Sequence, residues 1–357
     1  MSHINFAWWN LQNFFDTDDD PISNDFSFTP AAGWTESVFN KKKENLAEGL
    51  NLIWPNEQID LLTVCEIEKD TLLQDLLDEA GMNHLSVVFD ASGTSDLRGI
   101  DVAMAYNPSK LTVVSRASHL VHLRYRTRDI FEVTFRINDT GEEFVVIASH
   151  WPSRSRGQYH SEPLRIAVAE HISFLVDAHT KVESTTYEEL QANNDLAAIQ
   201  SKWESKVLVV GDFNDEPFDR SIVQHLKASR DLDKVTGGTN DFDKFVHTSK
   251  YRAREIFLYN LSTSIMNKSA TGNTGTYFLS GLYDGTVFAN RYQMLDQLVV
   301  TRGFLSGNGI EAQIETFDIV NDPVLATSSG RPRSFKYKSS SPKGYSDHLP
   351  LKLKLTY

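Results

Sequence analysis

Asp212 and Asn214 stand two residues apart at the end of an apolar run, in Val207-Leu-Val-Val-Gly-Asp-Phe-Asn-Asp215. In extended chain, side chains two apart point to the same face. The pair therefore presents a carboxylate beside an amide. That combination suits phosphate chemistry: the carboxylate orients or deprotonates a water, and the amide donates to a developing oxyanion. The segment is also good turn chemistry, but the placement recurs. Asn10 follows an apolar run, Glu66 follows Leu61 to Cys65, and His150 follows Phe144 to Ser149. Asp296 immediately precedes Gln297-Leu-Val-Val300, and Asp347 and His348 precede Leu349 to Leu355. Each alone reads as a turn or a cap. Gathered on one edge of a packed sandwich, they would form a pocket of carboxylates, amides and imidazoles. Carboxylates and amides are hard oxygen ligands, suited to Mg²⁺ or Mn²⁺. Crowding Glu66, Asp212 and Asp347 without a cation raises their pKa values by mutual repulsion. A divalent ion relieves that repulsion and neutralises charge on a phosphoryl transition state.

Placing these groups requires many strands. Ile4 to Trp9, Ile59 to Cys65, Ser86 to Phe89, Asp101 to Tyr106, Leu111 to Ser115 and Ile130 to Ile137 read as strands, as do Glu143 to Ser149, Val207 to Val210, Gln297 to Thr301 and Leu349 to Leu355. The last alternates leucine with lysine, the pattern of a half-buried strand. One helix carries Leu46, Leu50 and Ile53 on a single face, and others cover about residues 70–80 and 162–177. A further helix over about 186–204 is polar with few apolar anchors, and reads as a helical surface insertion near 181–205. Residues 228–285 are rich in Gly, Asn, Thr and Ser and read as loop. Mixed strands and helices without a linker predict one domain over 1–357, an α/β (α+β) sandwich.

The 357 residues are 40% hydrophobic, enough for a large core. A net charge of -13 argues against nucleic-acid binding driven by overall charge, although an acidic metal cluster contributes to that sum. The lone cysteine, Cys65, excludes an intramolecular disulfide and a cysteine zinc site, and its strand context predicts burial. Asp16, Asp18 and Asp20 have the spacing that opens a calcium loop, but Pro21 stands where such a loop needs glycine. No apolar run is long enough to span a bilayer and no signal-type segment opens the chain, so a soluble, cytoplasmic monomer is expected.

Taken together, these pieces resemble the endonuclease/exonuclease/phosphatase superfamily, with its DNase I-like fold. The matching segments are Trp8-Trp-Asn-Leu-Gln-Asn13, Val64-Cys-Glu-Ile-Glu68, Arg98-Gly-Ile-Asp-Val102, Ser149-His-Trp-Pro-Ser153, Gly211-Asp-Phe-Asn-Asp215, Gly275-Thr-Tyr277, Leu295-Asp-Gln297 and Ser346-Asp-His-Leu-Pro350. They occur in the family's order over nearly the whole chain. The resemblance implies a four-layer sandwich, two central and mostly antiparallel sheets flanked by helices, and Mg²⁺- or Mn²⁺-dependent hydrolysis of a phosphoester. It also implies roles. Glu66 is the principal metal ligand, with Asn10 beside it and Asp347 nearby. Asp212 orients or activates the attacking water, and Asn214 holds the scissile phosphate. His348 contacts the phosphate and is polarised by Asp296. His150 hydrogen-bonds the phosphate or protonates the leaving oxygen. Arg98 and Ser153 fall where the family often adds phosphate contacts. Two departures count: Gln12 replaces the aspartate of abasic-site endonucleases, and the histidine at 150 replaces their tyrosine.

Arg154 and Arg156 extend the loop that begins at His150 and are candidate phosphate contacts. Arg124-Tyr-Arg-Thr-Arg128, Tyr251-Arg-Ala-Arg254 and Arg331-Pro-Arg-Ser-Phe-Lys-Tyr-Lys338 interleave cations with aromatics, as nucleic-acid grips do. The leading expectation is a nuclease, most simply an endonuclease acting on DNA. The competing ones are a phosphatase or phosphodiesterase on small or lipid phosphoesters, and a non-catalytic module that kept the fold. His119 and His122 have no carboxylate nearby in sequence and read as structural.

Overall fold

The computed structural model describes residues 2–20, 23–89, 98–123, 127–155, 157–237, 246, 250–266, 274–280, 291–338 and 341–357. The strands are β1 His3–Phe14, β2 Leu61–Ile67, β3 Ser86–Val88, β4 Asp101–Tyr106, β5 Leu111–His119, β6 Ile130–Ile137, β7 Glu143–His150, β8 Val207–Asp212, β9 Ala228–Ser229, β10 Leu258–Asn260, β11 Tyr277–Phe278, β12 Tyr292–Gln293, β13 Asp296–Val300, β14 Glu311–Ile319 and β15 Leu351–Thr356. The longer helices are α1 Glu36–Ile53, α2 Asp70–Glu79, α3 Gln158–Thr180, α4 Ser184–Ala192 and α5 Leu196–Trp203.

Two mixed sheets face each other. One runs β14-β15-β1-β2-β4-β3 and the other β5-β6-β7-β8-β13-β10-β9. Their facing sides share one apolar core, which also takes in the buried faces of α1 and α2. A second cluster seats α3 against the outer side of the second sheet, through Val168, Ile172 and Val176 on Ile147 and Val209. The result is a four-layer α/β sandwich, as the sequence predicts. The central runs are apolar on both faces, as Val207 to Val210 is, because each face of their sheet is covered.

Parallel pairing brings strand ends to one edge. β1 pairs parallel with β2, and β7 parallel with β8, so Glu66, His150 and Asp212 sit at carboxyl ends. Asn10, expected to follow the first strand, lies inside β1 at the last pair before its register with β2 shifts. β13 pairs antiparallel with β8 and begins at that edge, placing Asp296 directly opposite Asp212. The chain enters β15 there too, through Asp347 and His348.

The long polar helix expected over 186–204 is two helices. Asn194 adopts φ 55° and the Asp195 side chain caps α5 by accepting from the Ala198 amide. Its anchoring also differs from expectation: Tyr187, Ile199 and Trp203 are buried around Tyr251 in a small core of their own. Tyr251 stacks on Tyr187 at 5.0 Å, so that aromatic serves packing. Arg124 to Arg126 lie outside the described residues. Glu132, across the β5–β6 ladder, supplies the carboxylate that His119 lacks in sequence, at 3.3 Å. Among the described residues, no helix is long and apolar enough to cross a membrane.

Candidate active site

Backbone geometry marks the edge first. Of the described non-glycine residues with positive φ, Gln12, Asn13, Glu66 and Asn214 fall here, at 56°, 57°, 61° and 51°. Such conformations cost energy for ordinary side chains and concentrate where function requires them. At Asn214 the local reason is visible: Asp212 Oδ1 accepts the Asn214 amide at 3.0 Å, closing an Asx-type turn. At Glu66 the strand bulges, and Oε2 accepts the Asn13 amide at 2.8 Å. Gly211 answers a different need. A Cβ there would lie 2.0 Å from the Ser149 carbonyl oxygen. Gly211→Ala should therefore separate β7 from β8 and lower the melting temperature by several degrees or abolish folding; thermal unfolding reads this directly.

The edge brings together the residues that sequence singles out. Asn10 Nδ2 lies 3.2 Å from Asp212 Oδ2 and 3.5 Å from Glu66 Oε1. His150 Nε2 is 3.4 Å from Asp212 Oδ2 and 3.7 Å from Glu66 Oε1. His348 bridges two carboxylates: Nδ1 is 2.6 Å from Asp296 Oδ2, and Nε2 is 3.8 Å from Asp212 Oδ2. Asn214 Nδ2 donates to the Trp151 carbonyl at 3.1 Å.

Two tryptophans are positioning residues that sequence reading missed. Trp8 Nε1 donates to Asp296 Oδ1 at 2.7 Å, and Trp9 Nε1 donates to the His348 carbonyl at 2.9 Å. Adjacent residues of β1 thus clamp the opposite sheet and the loop into β15. The available signal was that a buried indole N–H needs an acceptor.

Electrostatics separates the two imidazoles. Burial pushes His150 well below its usual pKa, and the charges on Arg98 and His348 add to that, so it is neutral. Burial opposes charge on His348 as well, but Asp296, Asp212 and Asp347 outweigh it and raise its pKa well above the usual range. His348 is therefore a fixed cation. Burial lifts the Asp212 carboxyl to about 7, with Asp296 and Glu66 adding repulsion. Burial and Glu66 likewise raise Asp347.

Asp212, Asp296 and His348 offer ligand atoms within 4.8 Å of one another. A metal ion there would have to displace the His348 proton that the two carboxylates stabilise, so a protonated imidazole already fills that electrostatic role. Glu66 and Asp347 suit a cation better: both are carboxylates, Glu66 is partly exposed, and a divalent ion would relieve the repulsion from Glu66 that adds to burial in raising Asp347. Asn10 turns its Nδ2 to Glu66, while its Oδ1 accepts the Gln12 amide at 2.9 Å.

The candidate phosphate contacts divide. Arg98 Nη1 donates to Asn13 Oδ1 at 3.3 Å, beside Glu66. Ser153 is exposed and its hydroxyl pairs with Ser155 at 2.9 Å. Arg156 lies outside the described residues. Arg154 turns inward instead of lining the cleft. It is buried, with Nε donating to the Asn214 carbonyl at 2.5 Å and Nη2 to Asp215 at 2.9 Å and to Asp219. Arg165 pairs with the other oxygen of Asp215 at 2.8 Å, and Gln297 Nε2 donates to the Asp215 carbonyl at 2.6 Å. This buried network holds the Asp212–Asn214 turn from behind. Removing its central anion leaves the buried Arg165 without its carboxylate and Arg154 with Asp219 alone, so Asp215→Ala should cost about 3–5 kcal/mol in urea denaturation.

The chain matches the model of the Endonuclease/Exonuclease/phosphatase family over residues 5–267. No curated protein sequence matches it. Similar solved structures include an endonuclease/exonuclease/phosphatase family protein from Bacteroides thetaiotaomicron, at 14% identity and TM-score 0.52, with 99% of this chain and 97% of that one covered. A mannosyl-6-phosphatase from Bacteroides thetaiotaomicron VPI-5482 aligns at 14% identity and TM-score 0.52, covering 99% and 100%. D. rerio TDP2, complexed with a single-strand DNA product, aligns at 10% identity and TM-score 0.51, covering 100% of both. At these identities the likeness speaks for the fold, while the family match speaks for the chemistry. The chain belongs to the endonuclease/exonuclease/phosphatase family of hydrolases acting on phosphoester bonds.

Proposed function

We propose that this protein hydrolyses a phosphodiester of nucleic acid, DNA first, by in-line attack of water on phosphorus. The observation that carries the mechanism is the cross-strand pairing of Asp212 with Asp296, with the His348 cation held between them. Asp212 orients the water and takes its proton as the P–O bond forms. A base with a pKa near 7 is well matched to neutral pH, since it is ionised yet basic enough to accept a proton. His348, charged and fixed by Asp296, faces the phosphate and stabilises the negative charge of the pentavalent state. It can also give its proton to the departing oxygen. His150, neutral, donates a hydrogen bond and does not supply a proton. Asn214 holds a non-bridging oxygen. Glu66 and Asp347 would hold Mg²⁺ or Mn²⁺, which supplies charge neutralisation at the phosphoryl group when bound.

Nucleic acid is favoured over a small phosphoester by what stands beside the cation. The Tyr277 ring lies 5.0 Å from the His348 ring, and β11 bridges to His348 through that residue. An aromatic at the lip of a phosphate site suits a substrate that carries flat bases. The competing reading is a sugar phosphatase, the activity in the name of one structural relative. Rates on an oligonucleotide, a hexose 6-phosphate and an inositol phosphate, compared as kcat/KM, separate the two. Preference for the oligonucleotide supports the nuclease reading. Preference for a phosphomonoester overturns it.

A further inference from the structure

The segment Arg331 to Lys338 remains unused by the chemistry above, and the fold gives it a place. With α1 and the chain at 342–345 it lines a concave pocket of about 710 Å³. Five cations border that pocket: Lys41, Arg331, Arg333, Lys336 and Lys343. Glu48 is the single acid among the described lining residues, in a chain whose net charge is -13. Clefts lined by one sign of charge focus the field and concentrate ligands of the opposite sign.

The pocket is joined to the catalytic edge by short, rigid contacts. Gln12 Nε2 donates to Ser334 Oγ at 2.9 Å, and its Oε1 accepts the Phe335 amide at 2.8 Å, two residues beyond Asn10. Lys42 Nζ donates to the Tyr345 carbonyl at 2.6 Å and Asn45 Nδ2 to the Gly344 carbonyl at 2.7 Å, just before Asp347. A cationic and aromatic path also runs along the surface. Tyr277 touches His348, Phe278 follows it, and the guanidinium groups of Arg331 and Arg291 lie over the Phe278 ring at 4.7 and 5.2 Å. Stacking on that ring fixes both arginines. Arg333 is anchored at the pocket by its Nε, which donates to the Ala326 carbonyl at 3.1 Å.

We propose that this pocket is an exosite for the sugar-phosphate backbone, holding phosphates of the nucleic-acid strand that flank the scissile one at His348. The inference rests on the nucleic-acid reading of the active site. A small phosphoester ends at the catalytic edge, whereas a polymer continues past Tyr277 and Phe278 onto Arg331 and the cations beyond it. Phosphate contacts of this kind position a strand without reading its bases.

The test uses the triple variant Lys41→Gln, Lys336→Gln and Lys343→Gln, with Lys→Arg at the same positions as a charge-preserving control. Binding of a fluorescein-labelled oligothymidylate of about 20 nucleotides is measured in EDTA across a salt series, and kcat/KM is measured on it and on bis(p-nitrophenyl) phosphate. The expected result is about tenfold weaker binding, a log Kd versus log salt slope lower by about 2, and a loss of kcat/KM about tenfold greater on the oligonucleotide than on the small diester. The arginine control should restore both. Wild-type cleavage of the oligonucleotide with the triple variant matching it in binding, slope and rate would overturn the exosite alone. Wild-type hydrolysis of the small diester without binding or cleavage of the oligonucleotide would overturn the nucleic-acid reading and the exosite with it.

Discussion

Asp212→Asn should lower turnover by about 10²–10⁴-fold while the protein stays folded. The amide keeps the size of the carboxylate and one acceptor for the Asn214 amide, but it cannot take a proton from water. The same substitution should change how stability depends on pH. In the metal-free wild type the folded carboxyl titrates near 7, above its ordinary value, so the folded state holds this proton more tightly than the unfolded chain does. Ionising it therefore costs stability, and that cost is absent below about pH 4, accumulates as pH rises toward about 7, and is constant above. The variant lacks the group. Its stability relative to wild type should rise over that window, read as urea midpoints in EDTA. A parallel pair of curves, or an active variant, would contradict the role given to Asp212.

His348→Gln should be the most damaging single change, because it strikes charge balance and chemistry together. Asp296 is fully buried, and without the imidazolium it keeps, among the described residues, the Trp8 indole as its one existing side-chain donor, with Asp212 opposite on the next strand. Leaving a buried carboxylate unpaired costs about 3–5 kcal/mol. Turnover should fall by about 10²–10³-fold from loss of the cation facing the phosphate. The double variant His348→Gln with Asp296→Asn removes the stranded charge. It should recover most of the stability and none of the activity, a non-additivity that a double-mutant cycle measures. The pair also sets an alkaline limit. A histidine whose pKa is raised in the folded state contributes stability that is complete below its unfolded value and is lost as pH rises through the folded one. The wild type should therefore lose stability on the alkaline side in a way that the double variant does not.

The candidate site was legible because most of its residues sit at strand ends, with Asn10 where the β1–β2 register breaks. Each apolar run that crosses the sandwich must stop at a polar residue, and parallel pairing of β1 with β2 and of β7 with β8 puts those stops together. Asn10, Glu66, His150 and Asp212 could therefore be read from the chain. What could not be read is which polar groups turn inward. Arg154 follows His150 by four residues, yet its partners Asp215 and Asp219 come from a loop sixty residues on, and burial of all that charge is decided by packing. The tryptophan clamps were hidden for the same reason, since Trp8 and Asp296 are separated by most of the chain. β14 went unread because Glu311–Ile319 mixes polar and apolar residues at a sheet edge, where burial is incomplete and the register with β15 shifts. The helix break at Asn193–Asp195 was in the residues, since Asp195 is a good N-cap, but helical polarity on both sides masked it.

The most direct measurement is nicking of supercoiled plasmid in Mg²⁺ and in Mn²⁺, for wild type and Asp212→Asn, with EDTA added to a parallel set. Nicking that needs the divalent ion and vanishes in the variant is the expected result. A folded wild type that leaves the plasmid intact, or nicking that persists in Asp212→Asn, would contradict phosphodiester hydrolysis driven from this carboxylate.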